Sequence, residues 1–285
     1  MGAILIVAAI ILALIGLFVV AIHFGFKAPK IAKTGSPANL GMEFRQVNIT
    51  GHKDANLFGW HIISSAKPQT STVLVMHGWG VNAEVVMPIA LPLYRAGFNV
   101  LLVDARNHGQ SDSDGHSSMP TFAQDIESAL DWLKAQPKTG KIAIVGHSVG
   151  AAASLLVASR RHDMDAVISI ASFAHPDWLM RRYLKTLHIP KPLVAVILRY
   201  VEHIIGHRFE AIAPINSARK IRCPVLLVHG EADKTIPVSD VHAINEGCGN
   251  PNVKILLIPD ADHDSVDKIE QHGDELMQFL KASGL

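Results

Sequence analysis

Residues 141–150 read KIAIVGHSVG, and the predicted fold follows from this stretch. Its first half is short, apolar and β-branched, which predicts a buried strand, and the small residues at 151–159 predict a helix. Between them, Gly146, Ser148 and Gly150 form a Gly-x-Ser-x-Gly pattern. A serine on a sharp turn between strand and helix is lifted clear of the backbone, and flanking glycines leave room for that turn. The pattern therefore predicts a nucleophile at Ser148.

Two other interpretations of this turn are open at the level of sequence. In the first, Ser148 caps the helix that follows and has no chemical role. In the second, the glycines form a phosphate-binding loop, but the Lys-Ser/Thr pair that such a loop needs is missing. The helix cap is therefore the stronger of the two alternatives.

Composition limits the classes of protein that the chain belongs to. Its 285 residues, 49% of them hydrophobic, are enough for a large core in one α/β domain. The net charge of +1 gives no reason to expect a nucleic-acid partner. Cys223 and Cys248 lack a Cys-x-x-Cys spacing, and the 16 histidines lack metal-ligand spacing. We therefore expect no disulfide framework, metal or organic cofactor.

The N-terminal region has the composition of a membrane anchor. Residues 3–22 are an unbroken apolar run, which as a helix would be ~30 Å long, the thickness of a bilayer core. We predict a transmembrane anchor at 1–26 and a linker at 27–42. Three lysines follow the run and none precedes it, which places the remaining domain on the cytoplasmic face. The alternative is a secretory signal cleaved after Val19-Val20-Ala21, which would release the domain.

From residue 43 onward the chain alternates strands with helices. Residues 44–49 and 58–63 alternate in polarity and predict antiparallel strands at a sheet edge. Continuous apolar strands are predicted at 73–76, 98–103, 142–145, 167–170, 224–228 and 253–258. Helical segments such as 121–135 and 239–247 separate them, which indicates a mostly parallel sheet covered by helices on both faces. Functional residues of such sheets gather at the carboxyl ends of the strands.

Partners for Ser148 follow the last two predicted strands. A serine hydroxyl needs a histidine to take its proton, and the histidine needs a carboxylate to fix its tautomer. Asp233 and His263 supply these groups, in the chain order known for this kind of sheet. Glu231 and Asp177 compete with Asp233 for the role of the acid. The acidic neighbours of His263 in sequence are expected to be solvated or to cap the loop.

Backbone amides near the strand ends are candidates for binding an oxyanion. Residues 77–80 read HGWG and follow a predicted strand, where glycines let amides turn outward. We predict an oxyanion hole formed by the amides of Trp79 and Val149. A tight turn with the Trp79 ring in the core is the alternative. Further candidates for substrate contact are His147 and Trp178, together with the Trp79 side chain.

Taken together, these motifs resemble those of the α/β-hydrolase superfamily, in particular its serine esterase, lipase and peptidase-like branch. The resemblance covers residues 43–283, and the domain is predicted over 43–285. It rests on HGWG at 77–80, DARNHGQS at 104–111, GHSVG at 146–150, GEAD at 230–233 and DHD at 262–264. It implies Ser148 as nucleophile, His263 as base and Asp233 as acid, with the Trp79 and Val149 amides as oxyanion hole.

Some positions qualify this resemblance. Asn107 stands where many members carry glycine, in a loop that we expect to be structural. The serine nucleophile argues against the dehalogenase and epoxide-hydrolase branches, which use a carboxylate. Residues 173–218 lie where the superfamily inserts a helical cap. Their mixture of apolar and cationic residues is typical of an ordinary cap packed over its site, but also of a helix at a membrane surface.

The sequence therefore predicts a membrane-anchored serine hydrolase. The expected substrate is a carboxylic ester, with a hydrophobic or lipid-like acyl group, cleaved through an acyl-enzyme. Amide, peptide or thioester cleavage on the same residues is the alternative, because the leaving-group pocket is not visible in the sequence. A binding module on the same fold, without catalysis, is the alternative from another class. Such modules can lose one of the three side chains, and all three are present here.

Overall fold

A computed structural model describes residues 27–64, 71–137 and 139–285, apart from the side chains of 267, 269 and 270, and also residues 6, 16, 18, 20 and 22–25. Most of the predicted anchor at 1–26 lies outside these described residues. Within the part that the structure describes, no helix is both long and apolar enough to cross a bilayer. The membrane span therefore stays a prediction.

The strands of the described residues form one eight-stranded sheet. They are β1 Phe44–Thr50, β2 Asn56–Ile62, β3 Thr72–Met76, β4 Asn99–Val103, β5 Ile142–His147, β6 Ala166–Ile170, β7 Val225–Gly230 and β8 Val253–Ile258. Their order is β1-β2-β4-β3-β5-β6-β7-β8. The β1–β2 and β2–β4 pairs are antiparallel and the others are parallel. This confirms the predicted mostly parallel sheet with an antiparallel edge.

Helices cover both faces of the sheet. They are α1 Met87–Arg95, α2 Met119–Ala135, α3 Val149–Arg160, α4 Pro176–Thr186, α5 Lys191–Ile205, α6 Phe209–Ile212, α7 Pro214–Ser217, α8 Ser239–Cys248, α9 Val266–Gln271 and α10 Gly273–Ala282. Successive strand side chains point to opposite faces. Leu74 therefore packs in one apolar core with Phe122 of α2, and Val75 packs in the other core with Ile89 of α1. Burial of both faces explains why the central strands are apolar throughout.

The helices α4 to α7 lie between β6 and β7, within the predicted cap. Leu184 of α4 and Ile197 of α5 are buried and belong to the same apolar core as Leu74. Arg182 also pairs with the buried carboxylate of Asp240 at 2.8 Å, which ties α4 to α8. One face of the cap is therefore packed on the domain. Tyr183 lies on the outer side and is 60% exposed.

Several residues of the predicted linker at 27–42 contact the rest of the chain, although most of the segment is exposed. A short 3₁₀ helix forms at Pro37–Leu40. Lys30 Nζ donates to the Ser111 carbonyl at 2.6 Å, and Lys33 pairs with Asp104. These contacts could not be predicted from sequence, because long-range ion pairs leave no local periodicity.

Candidate active site

The turn between β5 and α3 has the strained backbone that the sequence predicts. Ser148 has φ 55° and ψ −116°, a conformation that non-glycine residues adopt at a cost of roughly 1–3 kcal/mol. A Cβ at Gly146 would overlap the carbonyl of Gly150, and a Cβ at Gly150 would overlap the carbonyl of His77. Both glycines are therefore required by close backbone approach.

The hydroxyl of Ser148 faces His263 and not the helix. Its Oγ lies 3.0 Å from Nε2 of His263, and it makes no capping hydrogen bond to α3. The interpretation of Ser148 as a helix cap is therefore wrong. Its backbone amide donates to the Ile170 carbonyl at 2.9 Å, which fixes the turn against β6.

The ring of His263 is oriented by Asp233. His263 Nδ1 lies 2.8 Å from Asp233 Oδ2, and since a carboxylate only accepts, Nδ1 carries the proton. Nε2 is then free to accept the hydrogen of the Ser148 hydroxyl. The other Asp233 oxygen accepts from the amides of Thr235 and Ile236, both at 2.8 Å. Burial alone would raise the pKa of Asp233, but the hydrogen bonds from His263 and Ile236 outweigh it and lower that pKa.

Asp233 and His263 meet because the loops after β7 and β8 touch. The Ala232 amide donates to the Ala261 carbonyl at 3.0 Å. A Cβ at Gly230 would overlap that same carbonyl, so glycine is needed for this approach. The strand order places β7 beside β8, which brings the two loops to one end of the sheet.

The competing acids lie elsewhere. Glu231 is exposed, and Asp177 pairs with Arg181 at 2.6 Å on the surface of α4. Asp262 accepts from the Ser265 hydroxyl at 2.5 Å, the loop-capping role that the sequence predicts. Among the residues described, Asp233 is the carboxylate hydrogen-bonded to the His263 ring.

The amides of Trp79 and Val149 are available to bind an oxyanion. His77 Nδ1 donates to the Gly78 carbonyl at 2.6 Å, and in a trans peptide the Trp79 N–H then points the opposite way. A Cβ at Gly78 would lie 3.1 Å from the Ser148 Cβ, so this peptide lies beside the serine. Val149 opens α3, where amides lack helical partners. Neither amide donates to any residue that the structure describes.

Two buried histidines hold the loops around this peptide. His77 Nε2 accepts from the Ala105 amide at 3.0 Å. His108 Nε2 accepts from the Gly80 amide at 3.1 Å, and its Nδ1 donates to the Arg106 carbonyl at 2.9 Å. Burial lowers the pKa of His77 to about 3, so the ring is neutral. Sequence reasoning gave these rings no role, although both follow predicted strands.

The three predicted substrate contacts have different surroundings. His147 Nε2 donates to the His263 carbonyl at 2.9 Å, and burial, together with the charge of His263, lowers its pKa to about 4. His147 therefore supports the loop of His263. Trp178 stacks on His175 and is 41% exposed. Of the three, Trp79 lines the cavity described next, and the position of Trp178 does not support its predicted role.

An apolar cavity of about 110 Å³ lies between the cap and the carboxyl end of the sheet. It is lined by Trp79, Ser118, Met119, Pro120, Val149, Phe173, Pro176, Leu179, Met180, Val201, Ile205, Phe209 and Ile212. Both residues with available amides belong to this lining. None of the lining side chains carries a charge. In the described part of the chain, no cluster of three or more His, Cys, Asp or Glu side chains is arranged to hold a metal ion.

Known proteins resemble this chain in sequence and in fold. Residues 67–208 match the model of a family described as serine aminopeptidase, S33. The uncharacterized protein YqkD of Bacillus subtilis is 28% identical over 193 residues, which cover 66% of this chain and 63% of that protein, less than two thirds of its length. The uncharacterized protein YfhR of Escherichia coli is 28% identical over 237 residues, which cover 80% of this chain and 76% of that protein.

Among solved structures, the esterase Pf2001 of Pyrococcus furiosus has a TM-score of 0.76 at 25% identity, over 91% of this chain and 98% of that one. With the family model and the strand order described above, this likeness shows that the chain belongs to the α/β-hydrolase superfamily.

Proposed function

We propose that this protein is a serine hydrolase that cleaves carboxylic esters with hydrophobic acyl groups. One observation carries the proposal. Ser148 Oγ, His263 and Asp233 form a continuous hydrogen-bond chain of 3.0 Å and 2.8 Å at one end of the sheet. A binding module without catalysis has no need for this series of hydrogen bonds.

The mechanism follows from the tautomer of His263. Nε2 takes the proton of Ser148 as the hydroxyl oxygen attacks the ester carbonyl, and Asp233 stabilises the imidazolium that forms. The amides of Trp79 and Val149 donate to the oxyanion of the tetrahedral intermediate. His263 then returns the proton to the leaving alcohol, and an acyl-enzyme on Ser148 remains. Water, activated by the same nitrogen, releases the acid.

The cavity supports the choice of an uncharged acyl group. An aminopeptidase needs a carboxylate for the ammonium group of its substrate, and the described lining of this cavity contains none. Its volume of about 110 Å³ is well below the roughly 300–1,000 Å³ of pockets for drug-sized ligands. Short to medium acyl chains therefore fit best. Thioesters present the same acyl group and are the second candidate substrates.

The apolar run at 3–22 supports a second proposal, that the hydrolase is anchored in a membrane with its domain on the cytoplasmic face. Protease treatment of sealed, right-side-out vesicles tests the orientation. The proposal expects the domain to be protected. Digestion of the domain in intact vesicles contradicts it.

The hydrolase proposal is tested by covalent labelling and a substrate panel. A fluorophosphonate probe is expected to label the full chain, and Ser148→Ala is expected to abolish labelling. Turnover is then compared for p-nitrophenyl esters of graded chain length, an acyl thioester and an aminoacyl anilide. Hydrolysis of the anilide faster than any ester would overturn the choice of substrate class.

A further inference from the structure

The segment at 29–34, which we call the strap, lies on the loop that follows Trp79. Three residues of the strap contact residues 80–84 of this loop. Pro29 packs beside Gly80, where a Cβ would lie 3.4 Å from Pro29 Cγ. Asn82 Nδ2 donates to the Ile31 carbonyl at 2.9 Å. The amide and the hydroxyl of Thr34 donate to the Glu84 carboxylate at 2.8 Å and 2.7 Å. The strap therefore contacts the loop from Gly80 to Glu84.

Lys33 of the strap forms a buried ion pair. Lys33 Nζ lies 2.6 Å from Asp104 Oδ2, and the two side chains are 4% and 0% exposed. The same carboxylate accepts from the amide of Ala83 at 2.9 Å and from the amide of Gln110 at 2.8 Å. Asp104 thus joins the strap, the loop after β3 and the loop after β4 at one point.

The Lys33 ammonium is enclosed by aromatic rings as well. It lies 3.6 Å from the ring centroid of Phe58 and 4.3 Å from that of Trp60. No other ion pair to Asp104 is found in the described part of the chain. Removal of the ammonium would leave a buried carboxylate without a counter-ion, a costly arrangement that the loops can relieve by moving apart.

We propose that Lys33 is a positioning residue that keeps the Trp79 amide aligned with Ser148. It acts through Asp104, whose carboxylate accepts a hydrogen bond from the Ala83 amide. This bond holds the part of the loop that follows Trp79, while the His77 ring holds the part that precedes it. This rests on the proposed function, since the alignment matters for an oxyanion on Ser148. The hydrogen bond from the Trp79 amide to this oxyanion is strongest in the transition state. Loosening the loop therefore lowers kcat and changes KM little.

The test uses the full chain in detergent with three substitutions. Lys33→Met removes the charge and keeps the volume, Lys33→Arg keeps the charge, and Lys27→Met is the control at an exposed lysine near the strap. We expect faster amide hydrogen exchange at 78–84 in Lys33→Met, with β5 and α3 unchanged. Labelling of Ser148 by fluorophosphonate is expected to slow by about 10-fold, less than the roughly 10²–10³-fold for complete loss of an oxyanion donor, because the amide is displaced and not removed. Lys33→Arg should be closer to wild type, and Lys27→Met should equal it.

Unchanged exchange at 78–84 in Lys33→Met would overturn the proposal, and so would an equal increase across the whole sheet. If the wild type neither reacts with fluorophosphonate nor hydrolyses esters, the proposed function fails, while exchange at 78–84 still decides whether Lys33 holds the loop. If Lys33→Met does not fold, Lys33→Gln takes its place, because the amide can still donate to Asp104 but carries no charge. It is then expected to speed exchange at 78–84 alone, and no change there contradicts the proposal.

Discussion

Asp233 Oδ2 lies 2.8 Å from His263 Nδ1, although 30 residues separate them in sequence. This contact fixes the tautomer in which Nε2 faces Ser148 without a proton. Two backbone amides hold the other carboxylate oxygen, so the side chain has little freedom to turn away. The orientation of His263 toward Ser148 therefore depends on a carboxylate that is itself held in place.

Replacement of Asp233 by asparagine is predicted to lower kcat by about 10⁴-fold, because the amide favours the wrong tautomer of His263. KM for a p-nitrophenyl ester should change little. The control is Glu231→Gln, the same replacement two residues away at an exposed carboxylate, and it should keep wild-type turnover. Loss of activity in Glu231→Gln with activity kept in Asp233→Asn would reverse the assignment of the acid.

Val201→Phe is predicted to shorten the preferred acyl chain, because Val201 lines the cavity and a phenyl ring would fill part of it. The ratio of kcat/KM for an octanoate ester to that for an acetate ester should fall by about 10-fold or more, since each buried methylene is worth about 0.8 kcal/mol. Val196→Phe serves as the control on the outer face of α5, where Val196 is 58% exposed. Equal ratios in both variants would place the acyl group elsewhere.

Acid should destabilise the fold between pH 6.5 and about 4. Burial lowers the pKa of His61 and His147 to about 4 and that of His77 to about 3. Above pH 6.5 these rings are neutral in both the native and the unfolded state, so their full contribution to the free energy of unfolding is present. As the pH falls toward the folded pKa values, the unfolded chain takes up protons that the native state does not, so the free energy of unfolding falls by up to about 1.4 kcal/mol per pH unit for each ring.

Urea unfolding of the wild type and His61→Phe at pH 7, 6 and 5 measures this dependence. Phenylalanine keeps the edge contact that His61 makes with Trp132, at a centroid distance of 5.4 Å. The variant should lose stability less steeply with acid, by about 1.4 kcal/mol per pH unit at most. Identical slopes would show that the pKa of His61 is the same in the native and unfolded states, which contradicts the prediction.

Gly150→Ala is predicted to disrupt the turn between β5 and α3, because its Cβ would overlap the carbonyls of His77 and Met76. Overpacking against backbone costs about 1–3 kcal/mol or more. Thermal denaturation should show a lower midpoint, with loss of fluorophosphonate labelling. Gly25→Ala, where a Cβ meets none of the described residues within 4 Å, should leave both unchanged.

The elements that could be predicted from sequence are those with local signals. Apolar strands have a distinct composition, and Ser148, Asp233 and His263 each follow one. Asn107 shows the limit of motif reasoning: its φ of 68° explains why glycine suits this position, and asparagine tolerates it.

The contacts that were missed join residues far apart in the chain. Lys33 and Asp104 are 71 residues apart, and neither lies in a pattern that indicates the other. His147 and the carbonyl of His263 are 116 residues apart, and a carbonyl has no sequence signal at all. Such pairings depend on strand order and loop contact, which appear only in three dimensions.

The most direct test of a serine hydrolase is reaction of a fluorophosphonate probe with the wild type and Ser148→Ala, followed by peptide mapping of the adduct. We predict one adduct, on Ser148, and a fall in ester turnover of about 10⁴-fold or more in the variant. An adduct on another residue, or ester turnover that survives Ser148→Ala undiminished, would contradict the account.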